Sequence, residues 1–101
     1  MTDEDARHYA KELTPTERQI IMLCSKTLSW KYDGLAEKVG ISYFDAKNAG
    51  NRLQSMNLAS IMPTRRGNEY SGSAIFLNDR GEQVKLACTN MKLRRNRAPN
   101  K

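Results

Sequence analysis

Residues 33–58, DGLAEKVGISYFDAKNAGNRLQSMNL, constrain the fold most, because their apolar spacing and mid-segment Gly-Ile-Ser fit two short helices crossing at a tight turn. Such helices need small or branched apolar residues where they touch. The chain offers Leu35, Ala36 and Val39, then Ile41, then Ala46, Ala49 and Leu53, the last three at i, i+3, i+7 of one helix face. Gly40 is placed to end the first helix in a left-handed conformation, and Ser42 to cap the second, with Asp45 a weaker partner than Glu or Gln in a reciprocal box. Counted at roughly 100° per residue, the face opposite Ala46 carries Phe44, Lys47, Asn48, Asn51, Arg52 and Ser55. A helix-turn-helix with such a face suits a nucleic-acid groove, although a polar helix face is also what any solvated helix presents.

The flanking segments narrow the choice. Leu13-Thr14-Pro15-Thr16-Glu17 reads as a helix start: Thr14 the cap, Pro15 at the first helical position where no amide hydrogen is needed, Glu17 completing a capping box. Ile20, Leu23, Cys24 and Thr27 or Leu28 then supply the buried face. Trp30-Lys31-Tyr32 is too short for a helix and rich in strand formers, so a short strand is expected before Asp33 caps the next helix. Downstream, residues 59–66 and 74–77 are strand-like runs joined by Gly67-Asn-Glu-Tyr-Ser-Gly-Ser73, a β-hairpin with a polar tip. Pro63 lacks an amide hydrogen, so the first of these strands is an edge or is interrupted there. Asn78 is placed to cap a last helix in which Val84, Ala87, Cys88 and Met91 share a face that Leu86 and Leu93 widen. The order is helix, short strand, helix, turn, helix, hairpin, helix, after a polar segment, residues 1–12, that is helical or not. It predicts an α+β, mostly helical winged helix-turn-helix: a three-helix core, a hairpin wing and a C-terminal helix over residues 13–91.

At this point the chain resembles the winged helix-turn-helix transcription regulators, with local likeness to multiple-antibiotic-resistance-type repressors in LTPTERQII, LAEKVGIS, NRLQSMNLAS and IFLNDRGEQV. The likeness covers about residues 13–90. It implies that helix 43–56 enters the major groove of double-stranded DNA and that the wing, residues 64–73, reaches the minor groove or phosphates. The residues so implied are Ser42, Tyr43, Phe44, Lys47, Asn48, Asn51 and Arg52 on the helix and Arg65, Arg66 and Asn68 on the wing. Three features depart from the pattern: Gly50 stands where a larger apolar residue is usual, Tyr43 and Phe44 are bulky near the leading end, and 101 residues is short for that dimeric family. LTPTERQI also looks like the opening of LuxR-type regulators, but those end in a fourth helix without a wing, which the IFLN strand argues against. PTRRGNEYSGSAIFLN resembles the small FaeA-like pilus-operon regulators, which are short winged-helix proteins.

Composition sets limits that agree. With 39% apolar residues in 101 there is material for one domain with a modest core and none for a separate catalytic domain. No apolar run approaches the roughly 18 residues of a membrane span, and MTDEDARHYAKE is polar and acidic rather than signal-like, so no membrane partner is expected and the protein is expected in the cytoplasm, on the nucleoid if bacterial. Residues 1–58 hold eight Lys/Arg and eight Asp/Glu, whereas residues 59–101 hold nine against three, so the whole formal charge of +6 comes from wing, last helix and tail. A basic second half suits phosphate contact. Within it, Lys92, Arg94, Arg95, Arg97 and Lys101 crowd a 92–101 tail whose composition predicts mobility, and which either tracks the DNA backbone or keeps the chain soluble.

Catalysis finds little in this sequence. The single histidine, His8, is in the polar N-terminal segment, no Ser-His-Asp or Cys-His set can be assigned, and no glycine-rich phosphate loop is present. Cys24 and Cys88 fall on apolar faces with no CxxC or Cys/His neighbours, so buried thiols are expected rather than zinc or a disulfide, with a redox-sensing pair the other option; no cofactor or metal is expected. Trp30 and Tyr32 are expected to complete the core, Trp30 with one edge wet, and Tyr70 either stacks on a sugar or packs on the hairpin. Asn48 and Asn51 are the expected base readers, since an amide pairs bidentately with adenine, while Lys47 and Arg52 suit guanine or phosphate. The rival reading is a protein-interaction module in which Phe44 with Tyr43 anchors a protein partner. The apolar face of the last helix either packs on its own domain or forms a homodimer.

Overall fold

Local capping chemistry starts most of the helices. The computed structural model describes residues 2–97, the side chains of 70, 71 and 91–97 excepted. Thr2 opens α1 (Asp3–Glu12) with a capping box to Asp5. Thr14 opens α2 (Pro15–Leu23): its hydroxyl accepts from the Glu17 amide at 3.1 Å, and the Glu17 carboxylate accepts from the Thr14 amide at 2.9 Å. Both boxes remove amide donors that a helix N-terminus would leave unpaired.

Helix α2 is shorter than its apolar pattern predicts. Cys24 is already extended, and the Ser25 hydroxyl accepts from the amides of Thr27 and Leu28 at 3.2 and 2.9 Å. That local turn competes with helix continuation, so Leu28 is 53% exposed instead of lining the core. The short strand β1 (Trp30–Lys31) stops one residue earlier than expected, because only Trp30 and Lys31 pair with the sheet, opposite Ile75 and Ala74. Tyr32 therefore begins α3 (Tyr32–Val39), and Asp33 lies in its first turn rather than at its cap; its carboxylate accepts from the Gly34 amide at 2.9 Å.

Gly40 ends α3 at φ 84°, the left-handed stop expected of it, and the Ser42 hydroxyl accepts from the Asp45 amide at 3.0 Å to open α4 (Tyr43–Ser55). A second left-handed stop follows at Asn57, φ 62°. Here the Asn57 and Leu58 amides donate back to the carbonyls of Gln54 and Leu53 at 2.9 and 3.0 Å, and Leu53 and Leu58 are both fully buried. This closing motif turns the chain from α4 into the hairpin.

Strands β2 (Ala59–Arg66) and β3 (Glu69–Leu77) pair antiparallel, and the sheet order is β1-β3-β2. Pro63 thus lies on an edge strand, and the register shifts between Pro63 and Arg65, so both alternatives for that proline hold. The tip is much tighter than the seven-residue loop read from the sequence. Arg66 already faces Glu69, and Gly67-Asn68 alone make the turn, because Gly67 at φ 67° supplies the positive φ that a two-residue hairpin requires.

Asn78 opens α5 (Asp79–Arg97), its side-chain oxygen accepting from the Gly81 amide at 2.8 Å. Val84 and Ala87 are buried and Cys88 is half-buried, whereas Leu86 is 60% exposed and does not widen the face; Met91 and Leu93 lie outside the described side chains. The helix continues to Arg97, so residues 92–97 of the tail are helical; 98–101 lie outside the described residues. The N-terminal segment is helical too: α1 packs on α5, and its Ala6 and Ala10 are buried in the core. Arg80 ties the two helices, donating to the Tyr9 hydroxyl at 3.1 Å with its guanidinium 5.6 Å from that ring.

Candidate nucleic-acid interface

Volume fixes which face of α4 looks outward. Ala46, Ala49 and Leu53 are buried, and Gly50 is buried because Tyr32 occupies the space its side chain would take. A Cβ on Gly50 would stand 2.5 Å from the Tyr32 hydroxyl oxygen and 2.6 Å from its Cε1. Gly50 is therefore a notch for a tyrosine of α3. Tyr32 is 2% exposed and meets Tyr43 edge to face, ring centroids 6.1 Å apart at 81°. The leading end of α4 is thereby tied to α3 through aromatic contact.

With that face inward, Phe44, Lys47, Asn48, Asn51 and Ser55 are all exposed on the other side, and Ser42 is exposed at the cap. Arg52 behaves differently. Its Nη1 donates to both carboxylate oxygens of Glu17 at 3.3 Å, and the Glu17 side chain is only 5% exposed. Glu17 thus holds two elements at once, the start of α2 through the Thr14 amide and the last turns of α4 through Arg52. The sequence shows Glu17 only as a capping residue; its second partner is 35 positions away, and no local spacing marks it.

On the hairpin, Arg65, Arg66 and Asn68 are exposed. Arg66 faces Glu69 across the strands and Arg65 faces Tyr70, so a carboxylate tempers one arginine of the pair. The Thr64 hydroxyl donates to the Gly72 carbonyl at 3.1 Å beside the register shift. The Tyr70 side chain lies outside the described ones. Helix α4 contacts β2, so the exposed helix face and the hairpin belong to one continuous body.

Electrostatics elsewhere are those of a scaffold. Burial pushes the Cys24 thiol up to about 11 against the opposing pull of Lys85, whose ammonium donates to the Cys24 carbonyl at 2.7 Å. Burial likewise raises Cys88, with Arg18 opposing. Both thiols are protonated at neutral pH, which makes them poor nucleophiles. Lys26 is held up by its hydrogen bond and charge contact with Asp79, pinning the 24–29 loop to the start of α5, where the Glu82 carboxylate also accepts from the Lys26 amide at 2.8 Å. Trp30 donates to the Leu23 carbonyl at 3.1 Å and is half-buried, the placement its amphipathic ring predicts. Among the described residues no group of three His, Cys, Asp or Glu stands together as a metal site, and no helix is long and apolar enough to cross a membrane.

Three helices, a hairpin wing and flanking helices in this order constitute a winged helix-turn-helix. Solved structures of that class superpose on it. The chain is similar to the heme sensor protein PefR from Streptococcus agalactiae, solved with heme, at TM-score 0.74 and 18% identity over 97% of this chain and 69% of that one. It is similar to the transcriptional regulator SlyA at TM-score 0.71 and 14% identity, covering 93% of this chain and 66% of that one. A MarR family transcription regulator matches at TM-score 0.70 and 16% identity over 93% of this chain, which spans 60% of that regulator's length. The fold is that of MarR-type winged-helix regulators. Neither the models of known protein families nor the curated protein sequences yield a match to this chain.

Proposed function

We propose that this protein is a transcription regulator that binds double-stranded DNA in a sequence-dependent way, α4 in the major groove and the β2–β3 hairpin on the minor groove or phosphates. The observation that carries the reading is the outer face of α4. The Gly50–Tyr32 notch turns it outward, and it presents the exposed amides of Asn48 and Asn51 beside Lys47. Asn side chains pair bidentately with adenine N6 and N7, and Lys47 suits guanine or phosphate. Arg65, Arg66 and Asn68 on the wing add charge and hydrogen bonds to the backbone or a narrow minor groove. Arg52, engaged by Glu17, orients α4 and offers the half of its surface that stays exposed, 46%, to a phosphate. The basic second half of the chain supports nonspecific attraction to DNA. The fold shared with solved regulators is consistent with this role. We read the protein as a binding module and not an enzyme, acting in the cytoplasm.

Selection from a pool of random duplexes at several salt concentrations tests the reading. Enrichment of a motif with a steep salt dependence is the expected result. No retention even at low salt would overturn it in favour of a protein-interaction module anchored at Phe44.

A further inference from the structure

Two aromatic residues stand side by side at the start of α4, and the fold separates them. Tyr43 meets Tyr32 edge to face and keeps about half its surface, 49%, exposed. Phe44 is left 68% exposed, more than any other large apolar residue among the described ones. A single exposed aromatic is common on protein surfaces; its place on this helix is what distinguishes it. At roughly 100° per residue, Lys47, Asn51, Phe44 and Asn48 fall in that order within one arc of about 100°, with Phe44 near its middle. The arc points directly away from buried Ala46, Ala49 and Leu53. Phe44 is thus an apolar group at the leading end of an otherwise hydrogen-bonding face.

Resting on the DNA-binding reading above, we propose that Phe44 is a specificity-determining residue that packs on the C5-methyl group of a thymine. The major-groove edge of DNA offers one apolar feature, that methyl, and it is the group against which an apolar side chain gains by excluding water. Cytosine presents an amino donor, and adenine and guanine present polar edges that an aromatic ring would desolvate without repayment by a hydrogen bond. Asn48 follows Phe44 by one helical turn, a rise of about 6 Å, which is about two base-pair steps at about 3.4 Å. The preferred site therefore carries a thymine one or two steps from the adenine that Asn48 reads.

Replacing thymine by deoxyuridine removes the methyl group and leaves every hydrogen-bonding atom in place, which makes the test selective. The full-length protein is titrated by fluorescence anisotropy with its selected duplex and with duplexes in which each dT in turn is replaced by dU. One replacement is expected to weaken the wild-type protein about fourfold, the loss corresponding to one buried methyl. Phe44→Ala, checked for an unchanged melting temperature, is expected to bind both duplexes equally and to match the wild type on the dU duplex to within about twofold. A dU penalty of the same size in Phe44→Ala would assign the methyl to another side chain and overturn the proposal. So would a selected motif with no methyl-sensitive position, and neither result would touch the DNA-binding reading. A selection that returns no motif would instead defeat that reading itself.

Discussion

The α3–α4 pair and the β2–β3 hairpin both present residues proposed to meet DNA, yet they are held in opposite ways. The helix pair is positioned by volume: Tyr32 fills the notch at Gly50, Ala46 and Leu53 are fully buried, and Glu17 reaches from α2 to Arg52. The hairpin is positioned at its base, where Leu58, Ile75 and Leu77 are buried and Gly81 of α5 packs against the Leu58 backbone, while none of the described residues of its outer half, 63–69, is buried. A side chain on α4 is therefore aimed to within the tolerance of a packed core, whereas Arg65, Arg66 and Asn68 ride on a two-residue turn that core packing does not buttress. An aimed helix suits base reading, which demands geometry, and a compliant hairpin suits phosphate or minor-groove contact, which tolerates adjustment.

Substitutions can break this contrast. The largest effect is expected at the base of the hairpin. In Gly81→Ala the new Cβ would stand 2.1 Å from the Leu58 carbonyl oxygen and 3.1 Å from the Leu77 Cβ, so it meets backbone and the root of a buried side chain, with no flexible side-chain end to move. A loss of about 3 kcal/mol or more in urea unfolding is the expected outcome. Gly50→Ala comes next, because its Cβ meets a tyrosine ring able to shift partway, and the gain in helix propensity of about 1 kcal/mol offsets part of the clash. A net destabilisation of about 1–2 kcal/mol is expected, along with weaker sequence preference as α4 tilts. A stabilised Gly50→Ala would show that Tyr32 does not set the orientation of α4.

Glu17→Ala removes the acceptor for the Thr14 amide and the partner of Arg52 together. Because Arg52 is 46% exposed on its side chain, the loss is expected near ~1–2 kcal/mol rather than the larger penalty of a fully buried pair. Glu17→Gln should lose less, since Gln can still close the capping box. The smallest stability changes, within about 0.5 kcal/mol, are expected for exposed Asn51→Ala and Arg66→Ala, and there the contrast shows in binding instead. Asn51→Ala should lose about 1–3 kcal/mol of discrimination between the selected and random duplexes. Arg66→Ala should weaken both alike and lower the salt slope by about 1. Equal losses on specific and random DNA in both variants would remove the division of labour between helix and hairpin.

A core control sharpens the same comparison. Burial raises Cys24 above its ordinary value of 9.0 to about 11, so the folded state keeps a proton that the unfolded chain gives up between those values. Stability from this group is present below about pH 9 and falls as pH rises toward 11, by at most ~1.4 kcal/mol per pH unit. Urea midpoints followed from pH 8 to 10.5 should fall less steeply in Cys24→Ala than in the wild type.

Much of the fold is legible in the sequence wherever the cause is local. Thr14-Pro15-Thr16-Glu17, Gly40, Ser42 and Asn78 each act on backbone groups within a few residues, and all take the roles their spacing predicts. The outward face of α4 is legible too, because helical periodicity alone divides Ala46, Ala49 and Leu53 from Phe44, Lys47, Asn48 and Asn51. Misplaced boundaries have local causes of their own. The Ser25 hydroxyl ends the run that would carry α2 to Leu28, and Gly67 closes the hairpin at once, turning residues expected in a loop into strand.

By itself, then, the sequence determined the element order, the caps and the two faces of α4, since capping and periodicity are properties of neighbouring residues. Only the tertiary structure decided that Gly50 exists for Tyr32, that Arg52 is engaged by Glu17, that α1 docks on α5 and that the half-exposed Tyr43 ring meets Tyr32. Each of these is a contact between segments far apart in the chain, and which surfaces meet depends on shape and volume that no local spacing encodes.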